Sequence, residues 1–307
     1  MLPSVLVVGS LHYDLMIAGP RLPLLGETLP GSSWHYKAGG KGGNQAVDAA
    51  RHGVAVSMIG CVGKDDFGKV LVRNLARAGV DTAHVAIIKG ETGLSIAITE
   101  AEGDYAAVII SAANAMMQRN QIEEATALFD SAGIIVLQNE IPEEINILAA
   151  QMGRKAGAKV ILNAGPSRPM CDTLKPLIDI LVVNSLEAEG LGSCSVTDLA
   201  SAQEAARQLA HDFPAVIVTA GGNGVAFCAG DDEAALAPHK IRLVSTHGAG
   251  DAFIGALSAE LAKGETLRFA VTRANAAAAV IVSMPDTERQ ALDAKQMRYN
   301  IYKICGF

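Results

Sequence analysis

Ser245-Thr246-His247-Gly248-Ala249-Gly250-Asp251-Ala252-Phe253-Ile254-Gly255-Ala256-Leu257 is a small-residue turn that runs into an apolar, alanine-rich pattern. The second half reads as a helix entered through Gly248, Ala249 and Gly250. N–H groups at a helix start lack intrahelical acceptors and carry the positive end of its dipole, so the entry suits an anion. Asp251 stands where that anion would dock, although like charges repel. The conflict disappears if Asp251 takes a proton from a hydroxyl while the neighbouring amides hold the phosphate that the hydroxyl attacks. The plainer reading is a glycine turn with an aspartate in the first helical turn.

Outward from this entry, strand and helix patterns alternate. Residues 5–9 form a β-branched run ending in glycine, as a buried parallel strand does. Further strands are expected at 55–62, 133–137, 159–162, 180–183 and 215–219, with 225–229 and 234–244 as further strands or turns. Helices are expected at 67–78, 143–156, 202–211, 252–262 and 267–283, with a short one following Asn184-Ser185-Leu186-Glu187 through Leu191. This alternation implies an α/β fold, a mostly parallel sheet with helices on both faces. Residues 93–99 and 105–111, around the acidic turn Glu102-Gly103-Asp104, read instead as an antiparallel hairpin. With segments near 12–18 and 33–38 it is expected to form a small β-sheet lid on a single domain spanning 1–307.

Polar residues recur where strands end: Asp14, Glu140, Asn163, Asn184, Glu187 and Thr219. In open α/β sheets ligands bind in the crevice along that edge. Each alone could be a capping or turn residue. Ala38-Gly39-Gly40-Lys41-Gly42-Gly43-Asn44-Gln45-Ala46 adds glycines that let backbone approach a ligand, with Asn44 as helix cap or ligand donor. It is not a P-loop, because no Gly-Lys pair in the chain precedes Ser or Thr.

Half of the 307 residues are apolar and only 4% aromatic, with alanine, glycine and valine prominent, which favours helix-on-sheet packing. A net charge of −7 without a basic run argues against a nucleic-acid partner. Cys61, Cys171, Cys194, Cys228 and Cys305 are scattered, without a Cys-x-x-Cys pair, so neither a disulfide framework nor a zinc knuckle is expected. Residues 1–10 read as a strand rather than a signal peptide, and no apolar run reaches membrane-spanning length, so a cytoplasmic protein without a membrane partner is expected.

In combination, Gly39-Gly40-Lys41-Gly42-Gly43-Asn44-Gln45-Ala46, Asn184-x-x-Glu187 and Gly248-Ala249-Gly250-Asp251 resemble the motifs of the phosphofructokinase-B, ribokinase-like family of carbohydrate kinases. The resemblance runs from Val5 to about Ala279. It implies ATP-dependent phosphorylation of a sugar hydroxyl, with ribose as the foremost acceptor. Asp251 would be the base, and in the Gly248-Ala249-Gly250-Asp251 turn the amides of Ala249, Gly250 and Asp251 would form the anion hole. His12, Asp14, Gly39, Gly40, Lys41, Asn44 and Glu140 fall at sugar-contact positions. Asn184, Thr219, Gly221, Gly222, Gly224, Gly248, Gly250 and Asn275 fall where the family binds ATP. Asn184 and Glu187 match its magnesium-associated motif, and Ser245 and Thr246 the surroundings of a monovalent cation. The resemblance also implies a homodimer joined through the lid.

Three positions differ from the family pattern. His12 stands where its ribose kinases generally carry asparagine, which keeps a nucleoside or another sugar as alternative acceptor; His12 or Trp34 could stack on a base, or fill the lid. Ser245 replaces the usual aspartate, and Ser283-Met284-Pro285-Asp286 the usual Gly-Ala turn. Those two changes imply weak dependence on potassium. A catalytically silent sugar-binding protein is the reading from another class, disfavoured by Asp251 beside an intact Gly-Ala-Gly.

Overall fold

Val5 and Val7 are completely buried on one side of the first strand, Leu6 and Val8 on the other. A strand covered on both faces needs no polar alternation, which is why it reads as a continuous apolar run. The computed structural model describes residues 3–99 and 105–305 of the chain. This first strand, β1 (Ser4–Val8), sits inside a nine-stranded sheet. Parallel to it run β4 (Ala55–Gly63), β5 (Val80–Ile88), β8 (Ile134–Gln138), β9 (Lys159–Asn163), β10 (Ile180–Asn184) and β11 (Val216–Thr219). The antiparallel strands β12 (Val225–Ala229) and β13 (Asp232–Leu236) complete one edge. Across the sheet the order is β13-β12-β11-β10-β9-β8-β1-β4-β5. The chain therefore builds to one side of β1 and then returns to its other side, so the strand order reverses at β1 and β8. A crevice opens at the carboxyl ends of strands at such a point.

The small sheet contains β2 (His12–Ala18), β3 (Ser33–Gly39), β6 (Gly93–Thr99) and β7 (Tyr105–Ile110), in the order β3-β2-β6-β7. β2 is antiparallel to β3 and parallel to β6, and β6 is antiparallel to β7. The acidic turn 102–104 of the hairpin lies outside the described residues. Registration puts His12, Asp14, Lys37 and Ser95 on one face. Tyr13, Leu15, Trp34, Tyr36, Ile96 and Val108 share the other. Trp34 packs edge-on against Tyr36, which stacks on Tyr13. Trp34 is thus on the opposite face from His12 and Asp14, which corrects the expectation that it could stack on a base beside them.

Helices α1 (Lys41–Ala50), α2 (Asp66–Arg77), α3 (Arg119–Glu123), α4 (Thr126–Ser131), α5 (Glu143–Lys155), α6 (Ser185–Gly190) and α7 (Leu199–Leu209) come before the quoted stretch. α8 (Ala249–Ala262), α9 (Leu267–Val282), α10 (Asp286–Ala291) and α11 (Ala294–Cys305) follow. Every residue of α8 from Asp251 to Glu260 is buried, as expected of a helix that is apolar all round. α8 packs between α1 and α9. A Cβ on Gly255 would lie 2.5 Å from Cβ of Asp48 and 2.7 Å from the Ala49 nitrogen, so α1 and α8 meet nearly backbone to backbone.

Three elements differ from expectation. The strand suggested for 234–244 ends at Leu236, and Pro238, which has no N–H to give a ladder, follows. β5 was not anticipated, because this edge strand mixes Asp81, Thr82 and His84 among its apolar residues. Asn44 does not cap α1: Gly40 does, with φ at 85°, and a Cβ there would meet the His12 nitrogen at 2.6 Å. All five cysteines are free thiols. Among the described residues no helix is long and apolar enough to cross a membrane.

Candidate active site

Asp251 lies in the first turn of α8, 8% exposed. Gly248 caps this helix with φ at 83°, a left-handed conformation that only glycine adopts without cost. Two amides from α1 hold the carboxylate: Asn44 Nδ2 donates to Oδ2 at 2.9 Å and Gln45 Nε2 to Oδ1 at 3.0 Å. Burial raises the Asp251 pKa, while Lys41 and these amides pull it down. A carboxylate so placed can accept a proton more readily than one in water.

The Ala249 N–H turns back to the Thr246 carbonyl at 3.3 Å, so it is not the outward donor expected of it. Gly250 and Asp251 stand in the first turn, where helix geometry provides no preceding acceptor for their N–H groups. An added Cβ at Gly250 would meet no atom within 4 Å. The glycine thus leaves open space directly above the helix head.

Glu140 follows β8 and collects the loop before α1. Ser10 Oγ makes a short hydrogen bond to its Oε2, which also accepts from the Lys41 N–H at 2.9 Å. His12 Nδ1 is 3.6 Å from the same oxygen. Burial depresses the His12 pKa against the pull of Glu140, so the ring stays neutral. Asp14 is buried too, and its carboxyl presses so closely on Gly39 that a Cβ there would collide with it. Its pKa is pushed up to about 7, by burial first, with Glu140 and Asp251 adding and Lys37 opposing. His12, Asp14, Gly39, Gly40, Lys41, Asn44, Glu140 and Asp251 are therefore brought together around one crevice, where β1 and β8 end.

Asn184 and Glu187 cap each other at the start of α6: Glu187 N donates to Asn184 Oδ1 and Asn184 N to Glu187 Oε2, each at 2.9 Å. Asn184 spends its oxygen on this cap. Glu187 keeps Oε1, which lies against the same face of Gly165 as the Lys41 side chain. Among the described residues no group of three or more His, Cys, Asp or Glu forms a metal cluster. One remaining carboxylate oxygen fits magnesium, which keeps several waters and is held largely by phosphate oxygens.

Thr219 is registered beside Asn184 on β11, and its hydroxyl donates to the Val183 carbonyl at 3.3 Å. Gly221 and Gly222 follow in a 3-10 turn, with open space where a Cβ would be. Gly224 presses on residues 236–238, and Asn275 Nδ2 donates to Ala237 O at 3.0 Å, so both pack against the segment leaving β13.

Sequence reading missed several participants. Gln45 links Asp251 to Gln138, whose Nε2 donates to Gln45 Oε1 at 2.9 Å. Its signal was its place one residue after Asn44 on the same helix. Asn114, fully buried, grips both backbone polar groups of Leu11 at 2.8 Å and approaches His12 Nε2 at 3.3 Å. Nothing in its local sequence announces that contact. Lys37 of the small sheet reaches His247, and the Arg289 guanidinium reaches the carbonyls of Ser245 and His247.

The pfkB family carbohydrate kinase model matches residues 2–294. A ribokinase of Haemophilus influenzae is 33% identical over 286 residues, 92% of this chain and 93% of that protein. A deoxyribokinase of Salmonella typhi is 32% identical, covering 82% of this chain and 83% of that one. The solved structure of Arabidopsis thaliana ribokinase, complexed with ribose and ATP, superposes with a TM-score of 0.86 at 30% identity, over 98% of this chain and 99% of its own. With a buried carboxylate at the head of a glycine-entered helix and a match to nearly the whole family model, the chain belongs to the pfkB family of carbohydrate kinases, phosphotransferases acting on a sugar hydroxyl.

Proposed function

We propose that this protein transfers the γ-phosphoryl group of ATP to ribose, giving ribose 5-phosphate. The observation that carries the reading is Asp251, buried at the head of α8 between the Asn44 and Gln45 amides, beside open space at Gly250. Ribokinases at about a third identity support ribose, and the similar ribokinase complexed with ribose and ATP supports the donor.

Asp251 accepts the proton of the attacking hydroxyl, and Asn44 and Gln45 aim its oxygens. The Gly250 and Asp251 N–H groups neutralise charge on the transferred phosphoryl group, which phosphoryl transfer requires more than covalent help. Asp14 and Glu140 accept hydrogen bonds from sugar hydroxyls, and Lys41 lowers the cost of gathering three carboxylates. Thr219, Gly221, Gly222, Gly224 and Asn275 form the nucleotide side of the crevice. Magnesium, when bound with the nucleotide, supplies charge neutralisation on the phosphates, and Glu187, fixed by Asn184, would hold it through water. The small sheet acts as a lid that excludes water from the transfer, and its outer face joins two copies as a dimer.

His12 favours one second reading. A neutral imidazole against Glu140 changes the hydrogen bonding offered to the sugar ring, so a deoxyribose, in keeping with the deoxyribokinase of Salmonella typhi, is the rival acceptor. Measuring ADP release with ribose, 2-deoxyribose, hexoses and nucleosides tests both. The highest kcat/KM is expected with ribose; a clear preference for a nucleoside or hexose would overturn the assignment.

A further inference from the structure

Two loops meet just ahead of the glycine turn, residues 245–248 and the bend 283–285 that ends α9. Their backbone carbonyls converge on one side chain. Arg289, 7% exposed on α10, donates from Nε to Met284 O at 2.8 Å, from one terminal nitrogen to His247 O at 2.8 Å and from the other to Ser245 O at 3.3 Å. Its own backbone is fixed from α1, since Arg51 donates to the Arg289 carbonyl at 2.7 Å and is paired with the buried Asp48 at 2.5 Å. Asp286 Oδ1 is 3.2 Å from the guanidinium, and Asp286 Oδ2 is 3.6 Å from Lys37 Nζ.

Carbonyl dipoles pointing at one another repel, and a monovalent cation is one way to hold them together. Here those oxygens do not fit such an ion, because they already accept from a permanently charged, planar group. The carbonyl of His247 belongs to the peptide that leads into Gly248, so fixing it fixes the direction of the helix entry.

We propose that Arg289 is a positioning residue for phosphoryl transfer, a cation built into the chain that sets the 245–248 turn and makes turnover indifferent to monovalent cations in solution. The proposal rests on the phosphotransfer reading of Asp251.

The test compares the native protein with Arg289→Gln and Arg289→Lys, in tetramethylammonium buffer with added potassium chloride or guanidinium chloride. Native turnover should change less than about twofold with potassium. Arg289→Gln should lose about tenfold or more in kcat with little change in sugar KM, the pattern of an interaction felt in the transition state. Millimolar guanidinium should restore part of that loss, and Arg289→Lys should retain more activity than Arg289→Gln. Native turnover that rises about tenfold and saturates with potassium would overturn the proposal. So would a folded Arg289→Gln variant that guanidinium leaves unchanged. If Arg289→Gln does not fold, the native potassium titration decides alone. If the native protein phosphorylates no sugar, the phosphotransfer reading fails. The native thermal midpoint then separates the two ideas: equal midpoints in potassium and tetramethylammonium support the built-in cation, and a midpoint raised specifically by potassium refutes it.

Discussion

Lys37 Nζ, carried on the small sheet, donates to Nδ1 of His247 at 3.0 Å, one residue ahead of the turn that heads α8. Burial first, and then Lys37, depress the His247 pKa to about 4, so the ring is neutral at pH 7 and its nitrogen can accept. Lys37 is also registered opposite Asp14 on β2. One ammonium group therefore touches the helix entry and lies beside a carboxylate proposed to hold sugar, so displacement of the small sheet is felt at both.

Removing the proposed base tests the chemistry. Asp251→Asn should lower kcat by roughly 10² to 10⁴ while leaving sugar and ATP binding nearly intact, as loss of a general base does. Turnover within a few-fold of the native enzyme would exclude Asp251 from that role. Binding is measured by calorimetry.

Asp14 predicts a pH dependence. Its pKa rises from 3.8 to about 7, so between those values the folded protein keeps a proton that the unfolded chain has released. The unligated protein should therefore lose stability from this group as pH rises through that window, the reverse of a salt-bridged carboxylate. Sugar binding should strengthen over the same rise, because only the ionised carboxylate accepts two hydroxyls. The sugar KM should fall as pH passes 7, and Lys37→Met, which removes an opposing charge, should move that limb to higher pH. A KM that stays flat across neutrality would refute the role given to Asp14.

Gly250→Ala separates folding from function. The added Cβ meets nothing in the unligated protein, so the thermal midpoint should not move. The methyl group occupies the space assigned to the phosphoryl group, so turnover should fall by roughly 10²-fold. Full activity would mean that the phosphate lies elsewhere.

The outer face of the small sheet should bury itself against a second copy. Trp34 is 65% exposed and Val108 67%, on the same face as Tyr36 and Ile110, an apolar patch on a sheet with open edges. Light scattering at micromolar concentration should give a dimer, and Val108→Lys should give a monomer. A native monomer, with or without sugar, would sink the idea.

Much of this was legible because it is written locally. β1 and β8 to β11 are apolar runs ending in glycine or polar residues, and the strands at 93–99 and 105–110 carry their own turn. Gly39 to Asn44 and Gly248 to Asp251 are compact enough to read as site loops. What stayed hidden depends on distant partners. Asn114 matters because it grips Leu11, 103 residues away, and Arg289 because it reaches back 44 residues to Ser245. Asn44 was legible as polar, but only the folded chain puts Gly40 at the cap and the Asn44 amide 2.9 Å from Asp251. β5, α10 and α11 carry too little apolar regularity, or too short a pattern, to stand out.

The close crossing of α1 and α8 at Gly255 bears on how the chain is made. Asn44 and Asp251 are 207 residues apart, and the packed pair of helices brings them together. During synthesis the glycine-rich loop emerges early and must wait for most of the polypeptide before its carboxylate partner exists. Contacts of such long sequence separation form late, because chain closure must be achieved before they stabilise anything. A ribosome-stalled fragment ending before residue 249 can thus assemble much of the parallel sheet, yet it exposes the α1 surface that α8 covers. Nascent chains of that length should be the form most readily bound by chaperones, and catalytic competence should appear only once the residues from 249 onward, about the last fifth of the 307, have been added.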